Sequence, residues 1–373
     1  MKSENINISE KGPNVLVAPL DWGLGHATRC VPIIYALREQ GLNIIIAADG
    51  PIKILLEKEF PDVVFTVLKG YRVSYSQRGS GLFFKLFFQL PKLLKIISGE
   101  HKWLKQMIRE NKIDLVISDN RLGLFHDSTP CIYITHQLQI KTGTVLTDWL
   151  ARKIHYFFIN KYTSCWVPDN EKGNDLAGAL SHPKKLPIVP VQYAGPLSRF
   201  EKTIVPKKYD LLILLSGPEP QRTVLEKMIM EELSVFKGNV LLVRGLPGNN
   251  ANELPLKNKD TVTIKEHLPA AELSKAIQEA TLVISRAGYT TIMDLVKLQQ
   301  QAILIPTPGQ TEQEYLGKYL MEKKIFLSIP QDQFSLEKAV RSAKDFPFIL
   351  PAIDQQQYKK IIAEIAASII KGN

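Results

Sequence analysis

Residues 281–315 read T-L-V-I-S-R-A-G-Y-T-T-I-M-D-L-V-K-L-Q-Q-Q-A-I-L-I-P-T-P-G-Q-T-E-Q-E-Y. The apolar run Leu282 to Ile284 closes in Ser-Arg-Ala-Gly, and Thr290 to Leu298 then carries Ile292, Leu295 and Val296 at helical spacing, which predicts strand, tight turn, helix. Ala302 to Ile305 repeats the pattern and is ended by Pro306 and Pro308. The turn aims a helix N-terminus outward from a sheet edge. Such an end offers unpaired N–H groups and partial positive charge to an anion, with Arg286 expected as a fixed cation beside it. The polar loop around Gln310 and Gln313 falls where ligands collect in open α/β sheets, and Asp294 is placed to accept from the paired hydroxyls of a ribose. Together these describe a nucleotide site; the plainer alternative is a tight αβ turn with a solvated arginine.

The rest of the chain extends the same alternation. Val15 to Pro19 reads as a strand, followed by the glycine-bearing loop D-W-G-L-G-H-A-T-R at 21–29 opening a helix, then a strand at Ile44 to Ala48 and a helix from about Pro51 to Glu59. Further strands fall at Ile113 to Ser118, Cys131 to Thr135, Cys165 to Val167, Leu211 to Leu215, Val240 to Val243 and Val262 to Ile264, with a last helix from about Gln355 to Ile370. Gly25 lets backbone approach closely, and His26 stands at the helix start, the leading candidate for acceptor-side chemistry. Asp119 and His136-Gln137 end two of the strands and are candidates for the same side; isolated polar residues at strand ends are as often structural.

Composition sets bounds. The 373 residues are 45% apolar and 23% charged, enough for two ordinary soluble domains. The three cysteines are widely spaced, predicting a reduced, cytoplasmic setting and no cysteine-based metal site. The N-terminal residues lack a continuous apolar core for a signal peptide, and no uninterrupted apolar run of about 18 residues exists. The net charge of +10 gathers in the first half, most densely between Arg72 and Lys112. Within that span, residues 79–97 read G-S-G-L-F-F-K-L-F-F-Q-L-P-K-L-L-K-I-I. A helix this apolar is either buried or lying on a bilayer, and Pro91 is expected to break it in two. The phenylalanines sit beside leucines rather than spaced as stacking platforms, which argues against nucleic acid.

S-R-A-G-Y-T-T-I-x-D with I-P-T-P and Q-T-E-Q resembles the donor half of GT-B glycosyltransferases, specifically the MurG-like group of family 28. G-L-G-H at 23–26 resembles that group's acceptor-side glycine loop, and Thr135-His136-Gln137 its H-E-Q loop. The resemblance implies two Rossmann-like α/β domains facing across a cleft, with the C-terminal helix crossing back to the N-terminal domain. Residues 1–200 with 355–373 would bind acceptor, and 201–354 would bind donor. Ser285, Arg286, Ala287, Gly288, Tyr289 and Thr290 would hold the diphosphate of a UDP-sugar, with Ser216, Gly217 and Arg199 assisting. Asp294 would hold the ribose, Gln310 and Gln313 the sugar, and His267 and Leu268 would flank the base. Gly25, His26, His136 and Gln137 would face the acceptor, with His26 or Asp119 as base. The implied reaction is inverting transfer of a hexose or N-acetylhexosamine to a hydroxyl, saccharide or lipid-linked acceptor on the inner membrane face, with 79–97 touching anionic lipid. No Asp-x-Asp motif is present, so neither metal nor organic cofactor is expected. A UDP-sugar 2-epimerase, or a silent nucleotide-sugar-binding accessory protein, would share the same sequence features.

Overall fold

A computed structural model describes residues 12–71, 82–171, 173–246, 261–353 and 356–372. The chain divides into two compact units, one holding the described residues up to Arg199 together with the last helix, the other Phe200–Ile353.

The first unit runs β1 (Asn14–Pro19), α1 (Leu24–Glu39), β2 (Asn43–Ala48), α2 (Gly50–Glu59), β3 (Val64–Val67), α3 (Leu82–Asn111), β4 (Ile113–Asp119), β5 (Cys131–Ile134), α4 (Val145–Ile159), β6 (Ser164–Val167) and β7 (Val191–Tyr193). Its strands form one parallel sheet in the order β3-β2-β1-β4-β5-β6-β7. The strands are near-continuous apolar runs, as a sheet covered on both faces requires. Leu16, Ile45, Val116, Tyr133 and Cys165 pack with Leu104 of α3 and Ile159 of α4.

The second unit runs β8 (Tyr209–Leu214), α5 (Gln221–Leu233), β9 (Val240–Val243), β10 (Val262–Lys265), α6 (Ala270–Glu279), β11 (Ala280–Ser285), α7 (Tyr289–Lys297), β12 (Ala302–Leu304), α8 (Thr311–Glu322), β13 (Leu327–Ser328) and α9 (Leu336–Asp345). Its sheet, also parallel, has the order β10-β9-β8-β11-β12-β13. Alternate residues Leu211 and Ile213 of β8 meet Leu225 and Ile229 of α5 and Leu336 of α9. The last helix, α10 (Gln356–Gly372), belongs to the first unit and packs on α1, where Lys359 Nζ lies 3.5 Å from Glu39.

One expectation is overturned. α3 continues through Pro91 as a single helix rather than breaking there. Proline removes one backbone bond and crowds the preceding turn. That loss is local, whereas Ile97, Leu104 and Met107 bury the helix further along and hold its axis. Pro32 is carried inside α1 in the same way. Of the apolar segment 79–97, residues 79–81 and the side chains of 82–90 lie outside what is described; beyond them Lys92, Leu94 and Lys95 are exposed and Ile97 is buried. Among the described residues no helix is long and apolar enough to cross a membrane.

Candidate functional site

In each sheet the strand order reverses once, between β1 and β4 in the first unit and between β8 and β11 in the second. Loops leaving the carboxyl ends of the strands on either side of such a switch diverge and leave room for a ligand. The candidate residues gather at these two places.

In the first unit, Gly23 takes φ +78°, a conformation glycine adopts without strain, and so turns the chain from β1 into α1. His26 and Arg29, one turn apart, therefore share a face of α1. Asp119 is the last residue of β4 and pairs with Pro19 of β1; His136 follows β5. The three strands are neighbours, so residues 90 or more positions apart converge. Arg29 is the centre of the group, with Nε donating to Asp119 Oδ2 at 2.8 Å and Nη2 paired with Asp119 Oδ1. Its Nη2 lies 2.7 Å from His26 Nδ1 and its Nη1 3.4 Å from His136 Nδ1. His26 Nδ1 is also 3.1 Å from Asp119 Oδ2. A protonated Nδ1 donates to the carboxylate and an unprotonated one accepts from Arg29; in the first tautomer Nε2 is left with a lone pair, and it has no hydrogen-bond partner among the described residues.

The electrostatics follow from this packing. Burial opposes ionisation of Asp119, but Arg29 and His26 outweigh it and hold the carboxyl down at about 2. Burial, then the Arg29 guanidinium, lowers His26 below its ordinary value, with Asp119 opposing. His26 is thus neutral near pH 7, able to take a proton beside a carboxylate that stabilises the resulting cation. The structure brings His26, Asp119 and His136 together. The Gln137 side chain lies 3.4 Å from its neighbour His136 and its backbone N–H donates to Thr135 Oγ1 at 3.1 Å, while Gly25 lies in the first turn of α1, its carbonyl accepting from Thr28 Oγ1 at 3.1 Å. Arg29 was not among the residues singled out from sequence; its spacing of three from His26 was the available signal.

In the second unit, Ser285 ends β11 and Gly288 stands at the N-cap of α7 with no side chain to cap it, a helix end whose partial positive charge favours an anion. Ala287 and Tyr289 are buried, Thr290 and Asp294 half-buried, and Asp294 stands in the second turn of α7. Ser216 and Gly217 are exposed in the loop after β8, Gly217 with φ +97°. Gln313 Oε1 accepts from the Thr307 N–H at 2.9 Å, and its Nε2 donates to Gln310 Oε1 at 2.5 Å, so the two glutamines brace one loop. His267 is exposed and Leu268 buried between β10 and α6, while Arg199 belongs to the first unit.

Arg286, expected as a fixed cation beside the helix end, is itself buried and held by backbone carbonyls. Its side chain is 1% exposed; Nη1 donates to the carbonyls of Ile305 at 3.2 Å and Pro306 at 3.4 Å, and Nη2 to that of Gln221 at 2.7 Å. Burial lowers its pKa to about 10. Ending the strand inside the fold turns the guanidinium into a brace joining three loops. Close by, Glu226 accepts from Arg244 Nε at 2.5 Å and from Arg222 at 3.3 Å, and Arg244 reaches on to Glu266 at 2.9 Å, tying α5 to the ends of β9 and β10.

Two further features lie in the first unit. On α4, Val145 (87% exposed), Leu146, Trp149, Leu150 and Phe157 (60%) form one apolar face, continued by Leu186 and Ile188 across a groove. Arg152, Lys153 and Lys185 border the groove; Lys153 lies over the Trp149 ring, and Lys161 over Phe157. Separately, Asp169, Asp175 and His182 bring ligand atoms within 4.8 Å of one another. Asp169, however, accepts from the backbone N–H groups of Asn170, Leu176 and Ala177 and from Ser181 Oγ, the pattern of a carboxylate that folds a loop.

Comparison with known proteins agrees with this architecture. The fold is that of GT-B glycosyltransferases: the structure of the glycotransferase of kitacinnamycin matches with a TM-score of 0.64 and 13% identity over 96% of this chain and 94% of that one. Residues 224–366 match the family model of the Glycosyltransferase family 28 C-terminal domain. Two relatives are named UDP-N-acetylglucosamine--N-acetylmuramyl-(pentapeptide) pyrophosphoryl-undecaprenol N-acetylglucosamine transferase. The one from Clostridium tetani is 24% identical over 313 residues, covering 81% of this chain and 79% of the relative. The one from Haemophilus ducreyi is 26% identical over 193 residues, covering 51% of this chain and half the relative's length.

Proposed function

We propose that the protein is an inverting glycosyltransferase that moves a hexose or N-acetylhexosamine from a UDP-sugar to a hydroxyl of a lipid-linked acceptor at a membrane surface. The observation that carries this reading is His26 against Asp119 at the switch point of the first sheet, in a chain whose residues 224–366 match the family 28 C-terminal domain model. His26 Nδ1–H donates to Asp119, and Nε2 takes the proton of the acceptor hydroxyl as its oxygen attacks the anomeric carbon. The bond from that carbon to the diphosphate oxygen breaks, and UDP leaves with the bonding pair. A single displacement inverts the configuration. The N-terminal end of the α7 dipole stabilises the charge developing on the diphosphate, a role that asks for neither metal nor organic cofactor.

The apolar, lysine-bordered face of α4 supports a lipid-linked acceptor. An exposed tryptophan among aliphatic side chains with a basic rim suits an anionic lipid surface. The test is turnover and thermal shift with UDP-, GDP- and dTDP-sugars, with and without liposomes bearing polyprenyl phosphate-linked or diacylglycerol acceptors. Stabilisation by a UDP-sugar and turnover only with lipid acceptor are expected, with Trp149→Glu lowering liposome binding about tenfold. Conversion of the UDP-sugar without any acceptor would replace transfer with epimerisation, and stabilisation without turnover would leave a binding protein.

A further inference from the structure

Two buried donors of the second unit are unspent. The Thr307 hydroxyl, on a residue 1% exposed just beyond β12, makes no hydrogen bond. Neither does the Nε–H of Arg286, although the same guanidinium serves three carbonyls through its other nitrogens. The two are neighbours: a Cβ built on Gly217 would stand 3.5 Å from Thr307 Oγ1 and 4.0 Å from Arg286 Nε. These residues come from the loops after β12, β11 and β8, three adjacent strands at the switch point. Buried donors left unpaired are costly and uncommon, and such a pair one residue's width beneath an exposed backbone calls for a ligand. The cover is the thinnest the chain can make, since Gly217 has no side chain and the freest backbone.

We propose that Thr307 Oγ1–H and Arg286 Nε–H together bind one oxygen of the donor's diphosphate when the Ser216–Gly217 loop lifts, making Thr307 a diphosphate-binding residue of this protein. This rests on the nucleotide-sugar reading given above. Both groups act as donors and one is permanently cationic, so the fitting ligand atom is an anionic oxygen that can accept from both at once. A neutral sugar hydroxyl or a base edge would satisfy them less well. The α7 N-terminus, uncapped by Gly288, begins three residues beyond Arg286 and favours the same charge.

Calorimetric titration of the full chain with UDP, inorganic pyrophosphate and uridine, alongside melting of the unliganded protein, tests this in the wild type, Thr307→Val and Thr307→Ser. Thr307→Val is expected to bind UDP and pyrophosphate about tenfold more weakly, the effect of one charge-assisted hydrogen bond. Uridine affinity should be the same in all three proteins, and Thr307→Ser should stay within about threefold of wild type for UDP. The unliganded Thr307→Val should melt no lower than wild type, because it removes an unpaired hydroxyl rather than a bond. A merely structural threonine would give the opposite pattern, a lowered melting temperature with UDP and uridine affected alike, and would overturn the proposal. Equal UDP affinity in wild type and Thr307→Val would overturn it while leaving the nucleotide reading intact. Failure of the wild type to bind any of the three ligands would overturn both.

Discussion

The two switch points solve opposite problems. In the first unit, charge is spent internally: Arg29 engages Asp119, His26 and His136, and Asp119 is fully buried. In the second, binding capacity is held back as an uncapped helix end and two unpaired donors. A group that moves a proton needs its pKa fixed by permanent neighbours. A group that receives a diphosphate needs donors with nothing else to do. The contrast makes the first site sensitive to loss of a partner, whereas the unpaired Thr307 hydroxyl of the second can be removed without breaking a bond.

The largest effect should therefore come from Asp119→Ala, which strands the Arg29 guanidinium without its carboxylate. A loss of about 3–5 kcal/mol is expected in urea unfolding; a loss under about 1 kcal/mol would show that the cluster is not self-paired and break the contrast. His26→Ala should lower kcat by about 10²- to 10⁴-fold with UDP affinity unchanged, since it removes a proton acceptor and no nucleotide contact. A fall in UDP affinity of similar size would merge the two roles. Arg286→Ala removes a brace on three carbonyls and one of the waiting donors, so about 2–3 kcal/mol of stability and part of the UDP affinity should go together. Arg286→Lys, which keeps charge but not the fork, should recover little of either.

The smallest effect is a shift in pH dependence. With the folded His26 pKa below its ordinary 6.5, the acid limb of kcat/KM should lie below pH 6.5. The sign for stability agrees: a histidine whose folded pKa is depressed contributes above its unfolded pKa and loses that contribution as pH falls through the folded one. Asp119 is also depressed, so its contribution is present above the unfolded pKa and is lost only as pH approaches about 2. Melting temperature followed from pH 8 downward should decline in two separated stages, the upper one absent in His26→Gln.

Much of this was legible in the sequence because it is local. Apolar runs closed by Ser-Arg-Ala-Gly and Pro-Thr-Pro show β11 and β12 directly, and His26 stands out at a helix start, Asp119 and His136 at strand ends. What was not legible depends on distant groups. An arginine one turn along a helix reads as solvated; only Asp119, 90 positions away, buries Arg29. Arg286 reads as a fixed cation beside a helix end, but its burial against the carbonyls of Ile305, Pro306 and Gln221 shows only in the fold. Pro91 shows the converse, a strong local rule overruled by burial further along α3. For α4, periodicity gives a face, but nothing in the sequence says that it stays uncovered.

The seating of α10 against α1 bears on how the chain is made. α1 is synthesised early, yet its partner helix lies more than 300 residues downstream, with the whole second sheet encoded between them. During translation the described residues of the second unit, Phe200–Ile353, are complete while the first unit still exposes the face of α1 that α10 will cover. Closing that contact is a late, long-range step whose entropy cost falls at the end of synthesis. A ribosome paused before residue 356 would thus hold a finished second unit on an unfinished first one.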